Sequence, residues 1–253
     1  MSVSEVWGSA DYGPTALRLA PATTVVGAAL AGLPPESRVL DLGAGHGHLT
    51  ELLAATWDTV ALEPVSAMRE VGQRRYPGVR WIDTYGEDTG LADSSVDAIA
   101  SNFGAFLCDP ARATPEWLRI LSPGGILAFT AWDRRGFLAE MTLEMMAAGG
   151  GARTQPPHMT WADPGVAEER LQGFTDIAVT RHDLPWVFGS VEEGMALYRE
   201  GSPTHAFSFA RAGEGAGRLE DALRSHLEAN ARASGRVESF SGYVLVTARA
   251  PGD

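Results

Sequence analysis

The chain has a single cysteine, Cys108, so it can form no internal disulfide and no cysteine-rich zinc site. It has no run approaching ~18 uninterrupted apolar residues, which excludes a membrane-spanning helix. Positive charge is in deficit: 20 Lys+Arg against 32 Asp+Glu leave a formal charge of −12. A chain this acidic offers no cationic face to a polyanion, which argues against nucleic acid as partner. The first residues, MSVSEVWGSADYGP, contain acids and no basic segment leading into an apolar core, so a cytoplasmic protein without a secretory signal is expected. There is no internal repeat, and Arg211–Gly217 is the one biased connector. What is present is ordinary globular material. Hydrophobic residues make up 45 % and charged residues 21 % of 253 positions, enough apolar surface for a large core and too much for a disordered chain.

Strand-length apolar runs alternate with helix-length segments through the first half, the pattern of βαβ units and a parallel sheet. Strands are expected at Arg38–Leu42, Thr59–Glu63, Val79–Asp83, Val96–Ser101 and Ile126–Trp132. Helices are expected at Thr50–Thr56, Ser66–Arg75 with Ser66 as N-cap, and Ala113–Leu121, the last stopped by Ser122-Pro123-Gly124-Gly125. Phe137–Ala148 reads as a helix leading into a Gly/Pro-rich loop suited to a lid. Asp163-Pro164 reads as a cap and first residue opening a helix to Leu171, and Arg218–Ala231 as the last helix. Ile177–Leu184 and Tyr243–Ala248 alternate as antiparallel strands do. The organisation expected is one domain: a helical N-terminal cap (1–36), a core (37–133) and a substrate-covering region with the final strands (134–253).

The chemistry concentrates in Val39-Leu40-Asp41-Leu42-Gly43-Ala44-Gly45-His46-Gly47. A strand running into alternating glycines lets backbone approach a ligand closely and offers N–H groups to an anion. Glu63 ends the next strand, where a carboxylate can accept both hydroxyls of a ribose. Together these point to an adenosine-containing cofactor. The dinucleotide fingerprint needs a third glycine where this chain has His48.

The G-x-G-x-G spacing after Asp41 resembles motif I of the class I S-adenosylmethionine-dependent methyltransferases. Glu63-Pro64 resembles that family's ribose-binding acid. Tyr85–Asp97 is similar to its adenine-side segment, and Arg119–Leu127 to its R-x-L-x-P-G-G entry to strand five. The motifs cover about Arg38–Asp133 and are most like the small-molecule enzymes of ubiquinone and menaquinone biosynthesis. Pro156–Trp161, Asp163-Pro164, Gly173-Phe174 and Trp186–Ala196 resemble that branch's substrate region. The resemblance implies a Rossmann-like, seven-stranded, mostly parallel sheet with helices on both faces. It implies S-adenosyl-L-methionine as cofactor, its methionine end on Asp41, Gly43, Ala44, Gly45 and Gly47 and its sugar on Glu63 and Pro64. Adenine would lie by Tyr85, Gly86 and Glu87; Tyr85 departs from the family's acidic or polar residue. Ser101, Asn102 and Phe103 would line the methyl group, with Tyr12 facing the pocket. The family's nucleic-acid amine methylases carry an Asn/Asp-Pro-Pro-aromatic motif where this chain has Ser101-Asn102-Phe103-Gly104.

The implied activity is O-, N- or C-methylation of a small molecule, with secondary metabolism as one setting. The alternative is an enzyme that binds the same cofactor for a rearrangement or cyclisation. The acceptor's expected partners are the aromatic residues of the variable segments, so a hydrophobic or aromatic molecule is expected, with no metal. His46, His158 and His205 are the candidate bases, and catalysis by proximity alone needs none. His48 reads as a surface or capping residue, His182 and His226 as satisfied polar residues, and Cys108 as a small apolar one. A homodimer is the oligomeric state considered.

Overall fold

The computed structural model describes residues 3–252. The chain opens with helices α1 (Val3–Trp7), α2 (Gly13–Leu19) and α3 (Thr23–Ala29). There follow β1 (Arg38–Leu42), α4 (His48–Ala54), β2 (Asp58–Leu62), α5 (Ser66–Arg75), β3 (Arg80–Ile82), β4 (Val96–Ser101), α6 (Pro110–Ile120) and β5 (Leu121–Gly136). The second half holds α7 (Phe137–Ala148), α8 (Val166–Arg170), β6 (Thr175–Phe188), α9 (Val191–Glu200), α10 (Pro203–Ala212), α11 (Ala216–Ala229) and β7 (Val237–Arg249). The seven strands form one sheet in the order β3-β2-β1-β4-β5-β7-β6. The pairs β1–β2, β1–β4, β2–β3 and β4–β5 are parallel. Strand order reverses between β1 and β4, and in such sheets a crevice for ligands opens there, at the carboxyl ends of the strands.

The chain forms two compact units. One comprises Leu19–Ala131, Trp161–Arg181 and the chain from Val244 onward. Strand β1 is buried on both faces, with four of its five residues out of solvent, as a central parallel strand covered on both sides is. Val26 and Leu30 beside α3, Leu49 and Leu53 of α4, and Val39, Ala98, Ala100, Ile126 and Ala128 of the sheet form a continuous apolar cluster. Truncating one of its leucines to alanine would cost about 2–5 kcal/mol.

The other unit comprises the described residues up to Arg18, with Trp132–Thr160 and His182–Tyr243. Its centre is aromatic: Phe137 stacks near Tyr198 at 6.4 Å and tilts against Phe188 at 6.2 Å. His226 of α11 sits 4.4 Å from the Phe137 ring, with Nε2 3.1 Å from that residue's carbonyl oxygen and Nδ1 3.0 Å from Glu144 of α7.

Three local expectations are corrected. Val65, not Ser66, is the N-cap of α5, because the Glu63 carboxylate already accepts the Val65 N–H. Gly165 at φ 78° is the N-cap of α8, so the helix starts two residues after Pro164. Ser122–Gly125 does not separate α6 from a strand but is the start of β5, where the register against β4 shifts and Gly124 takes φ 75°.

Candidate active site

At the carboxyl end of β1 the backbone turns through three left-handed glycines: Gly43, Gly45 and Gly47 at φ 71°, 55° and 86°. Any other residue would be strained there. The bend is also crowded by backbone. A Cβ on Gly43 would lie 2.9 Å from the Cα of Gly104, just beyond β4. One on Gly104 would lie 2.7 Å from the Leu42 carbonyl oxygen. The main chains of Gly43 and Gly104 therefore pack directly against each other at the switch point, and Gly104 belongs to this turn although sequence reasoning passed over it. The loop's N–H groups are not spare, as the sequence reading had them. Gly43 and Ala44 donate to the Leu62 carbonyl, Gly47 to Ala44, and Gly45 to the Glu63 carboxylate.

Two buried acids face this turn. Asp41, 1 % exposed, accepts the Thr50 hydroxyl on Oδ2 at 2.6 Å, while its Oδ1 is buried without any partner. Desolvation pushes its pKa up to about 7 against the Thr50 bond, with repulsion from Glu63 adding to the rise. Glu63, 5 % exposed, accepts N–H bonds from Gly45 at 2.9 Å and Val65 at 2.8 Å. Burial raises its pKa, and those two bonds and the Arg69 guanidinium oppose the rise. A carboxylate has about four lone-pair sites. With two taken by backbone, Glu63 keeps two in a fixed orientation, the number a vicinal diol needs. Pro64 follows it, half-buried.

The turn after β4 is held by hydroxyls. Ser101 donates to the Leu42 carbonyl at 2.6 Å and accepts from Gly104 and Ala105. Thr130 of β5 accepts the Phe103 N–H and donates to the Asn102 side-chain oxygen, whose amide donates to the Leu19 carbonyl. This scaffold fixes Phe103 at φ 57°, a conformation uncommon for a bulky residue. Of the three residues expected to line the methyl group, Ser101 and Asn102 spend their polar atoms on this architecture, and Phe103 remains as an apolar wall.

On the adenine side, Tyr85 is 45 % exposed and pairs with Asp88 through an isolated bridge. Gly86 is buried and accepts the Trp117 indole N–H at 2.9 Å, with no room for a Cβ beside the Cys108 sulfur. Glu87 accepts the Asp109 N–H. His46 is buried in the glycine loop. Tyr12, His158 and His205 belong to the other unit. There Tyr12 meets the edge of Trp7, and His158 lies exposed in a short helical turn. His205 has Nδ1 2.7 Å from the Ser202 hydroxyl, and desolvation pushes its pKa down to about 4. Cys108 is inert, its thiol pushed up by burial. Among the described residues no group of acids, histidines and cysteine is arranged to hold a metal ion, and no helix is long and apolar enough to cross a membrane.

Residues 40–129, the segment that builds this crevice, match the family described as Methyltransferase domain. A malonyl-[acyl-carrier protein] O-methyltransferase of Methylococcus capsulatus is 34 % identical over 206 residues, covering 74 % of this chain and 73 % of that protein. A demethylmenaquinone methyltransferase of Renibacterium salmoninarum is 39 % identical over 110 residues, 42 % of this chain and 46 % of that one. The solved YcgJ protein of Bacillus subtilis superposes with a TM-score of 0.59 at 18 % identity, covering 93 % of this chain and 99 % of that one, and shares the fold. The chain thus belongs to the class I methyltransferases. It is an enzyme that takes its methyl group from S-adenosylmethionine. The residues present fit that cofactor: an unpartnered buried carboxylate oxygen for a cation, an oriented acid for a diol, and main chain at Gly43 and Gly104 that leaves no room for a Cβ.

Proposed function

We propose that the crevice between β1 and β4 holds S-adenosylmethionine and that the enzyme methylates a small acceptor with an apolar or aromatic body. The observation that carries this is Glu63, fastened by the Gly45 and Val65 N–H groups with two acceptor sites left over. In this reading Glu63 holds the ribose hydroxyls and Asp41, through Oδ1, attracts the ammonium of the methionine end. Gly43, Ala44, Gly45 and Gly47 let that end lie against main chain, with Pro64 beside the sugar. Gly86, with Tyr85 and Glu87, borders the base. When bound, the cofactor supplies an electrophilic methyl group on a positively charged sulfur.

The protein's own contribution is placement and exclusion of water. Phe103, locked by the Ser101–Asn102–Thr130 scaffold, supplies an apolar surface that cannot compete as a nucleophile. The relatives named for a malonyl thioester and a quinone precursor set the first acceptors to try.

The test is calorimetry with S-adenosylhomocysteine, followed by a panel of carboxylates, phenols and quinols assayed for S-adenosylhomocysteine release. Saturable binding that weakens at least tenfold in Glu63→Ala supports the reading. Binding indifferent to that change would sink it. Turnover of a panel member without release of S-adenosylhomocysteine would move the enzyme to cyclisation or rearrangement chemistry.

A further inference from the structure

Beneath the diol acid lies an arginine that the crevice itself does not include. Arg69 is the fourth residue of α5 and its side chain is 13 % exposed. One guanidinium nitrogen donates to the main-chain carbonyl of Glu63 at 2.6 Å, and another to Asp83 at 2.7 Å. Asp83 directly follows β3, and the Glu63 N–H donates to Ile82, the last residue of that strand. Glu63 is therefore gripped at every polar group it has: N–H by β3, carbonyl by Arg69, carboxylate by Gly45 and Val65.

An exposed ion pair is ordinarily worth little, and Asp83 alone would suggest no more than that, being 66 % exposed. The carbonyl bond changes the reading. The planar guanidinium spans two strand exits at once, which a point charge on a flexible stem cannot do. The chain contains no lysine at all; its 20 basic side chains are all arginine.

We infer that Arg69 is a positioning residue for the cofactor: by tying the Glu63 carbonyl to Asp83 it sets the angle at which the Glu63 carboxylate meets the ribose diol. The inference rests on the reading of Glu63 as the diol acid. The positive guanidinium also favours the charged form of Glu63, which burial disfavours.

The experiment is a double-mutant cycle on S-adenosylhomocysteine affinity with Arg69→Met, Glu63→Gln and the pair, repeated with adenosine and 2′-deoxyadenosine. Arg69→Met is expected to weaken S-adenosylhomocysteine and adenosine by the same factor, roughly tenfold, and to have less than a twofold effect once Glu63 is Gln or the 2′-hydroxyl is gone. The acidic limb of the binding–pH profile should move to higher pH in Arg69→Met and vanish in Glu63→Gln. Asp83→Asn, which keeps the shape, should weaken binding a few-fold and serves if Arg69→Met does not fold. If Glu63→Gln binds like the wild type, the diol assignment falls and this inference with it. If Glu63→Gln weakens binding but Arg69→Met has no effect, or the same effect in both backgrounds, the inference alone is overturned.

Discussion

Asp41 is the place where function should be measurable as lost stability. In an unfolded chain an aspartate titrates near 3.8; in the folded protein burial holds Asp41 at about 7. The folded state thus binds a proton that the unfolded state has released, and stability must fall as pH rises across that window. The gap of about three pH units, at about 1.4 kcal/mol each, amounts to about 4 kcal/mol, absent below pH 4 and fully present above pH 7. Asp41→Asn removes the titration. Its side-chain oxygen can still accept the Thr50 hydroxyl, but its amide N–H groups occupy the place of the unpartnered Oδ1, a pH-independent cost of about 1–3 kcal/mol. The variant should therefore be less stable than the wild type at pH 4 and more stable at pH 8, with the difference between them changing by about 4 kcal/mol. Urea unfolding at pH 4, 6 and 8 measures this directly. Saturating S-adenosylhomocysteine at 100 times its Kd should restore about 2.7 kcal/mol to the wild type at pH 8 and far less to the variant. Parallel pH dependences in the two proteins would refute the argument, because no other group differs between them.

A further outcome is expected. Gly104→Ala puts a Cβ 2.7 Å from the Leu42 carbonyl and 2.9 Å from the Ser101 hydroxyl oxygen, so it should cost about 1–3 kcal/mol and lower cofactor affinity, whereas Gly78→Ala, with open space around it, should be neutral in both assays.

What could be read from sequence was what repeats locally. Strands β1 and β4 and helices α5 and α7 fall where their periodicity and punctuation place them, Arg38–Leu42, Val96–Ser101, Ser66–Arg75 and Phe137–Ala148. The same local rules misplace a cap when a neighbouring side chain fixes the backbone that enters the helix. Ser66 is a good N-cap by type, but the Glu63 carboxylate has already closed the turn through Val65. Ser122-Pro123-Gly124-Gly125 has the composition of a loop, yet Ser122 is bonded to Asp97 and Gly124 donates to Pro251, so the sheet absorbs it.

The site divides along the same line. Gly43, Gly45, Gly47 and Glu63 are legible because a turn through left-handed backbone and an acid one strand later leave a spacing in the chain. Thr130, Gly104 and Arg69 leave none. Thr130 matters through Phe103, 27 positions away, and Arg69 through Asp83, 14 positions away. In the proposed function such residues act through a second residue, and their partner is chosen by the order of strands in the sheet, not by distance along the sequence. The partnerless Oδ1 of Asp41 shows the same limit in its sharpest form. A buried acid oxygen without a partner is a cost to folding, and in the proposed function the ligand's ammonium supplies the missing charge. That is why the stability lost at Asp41 above neutral pH and the affinity gained there should be two readings of one interaction.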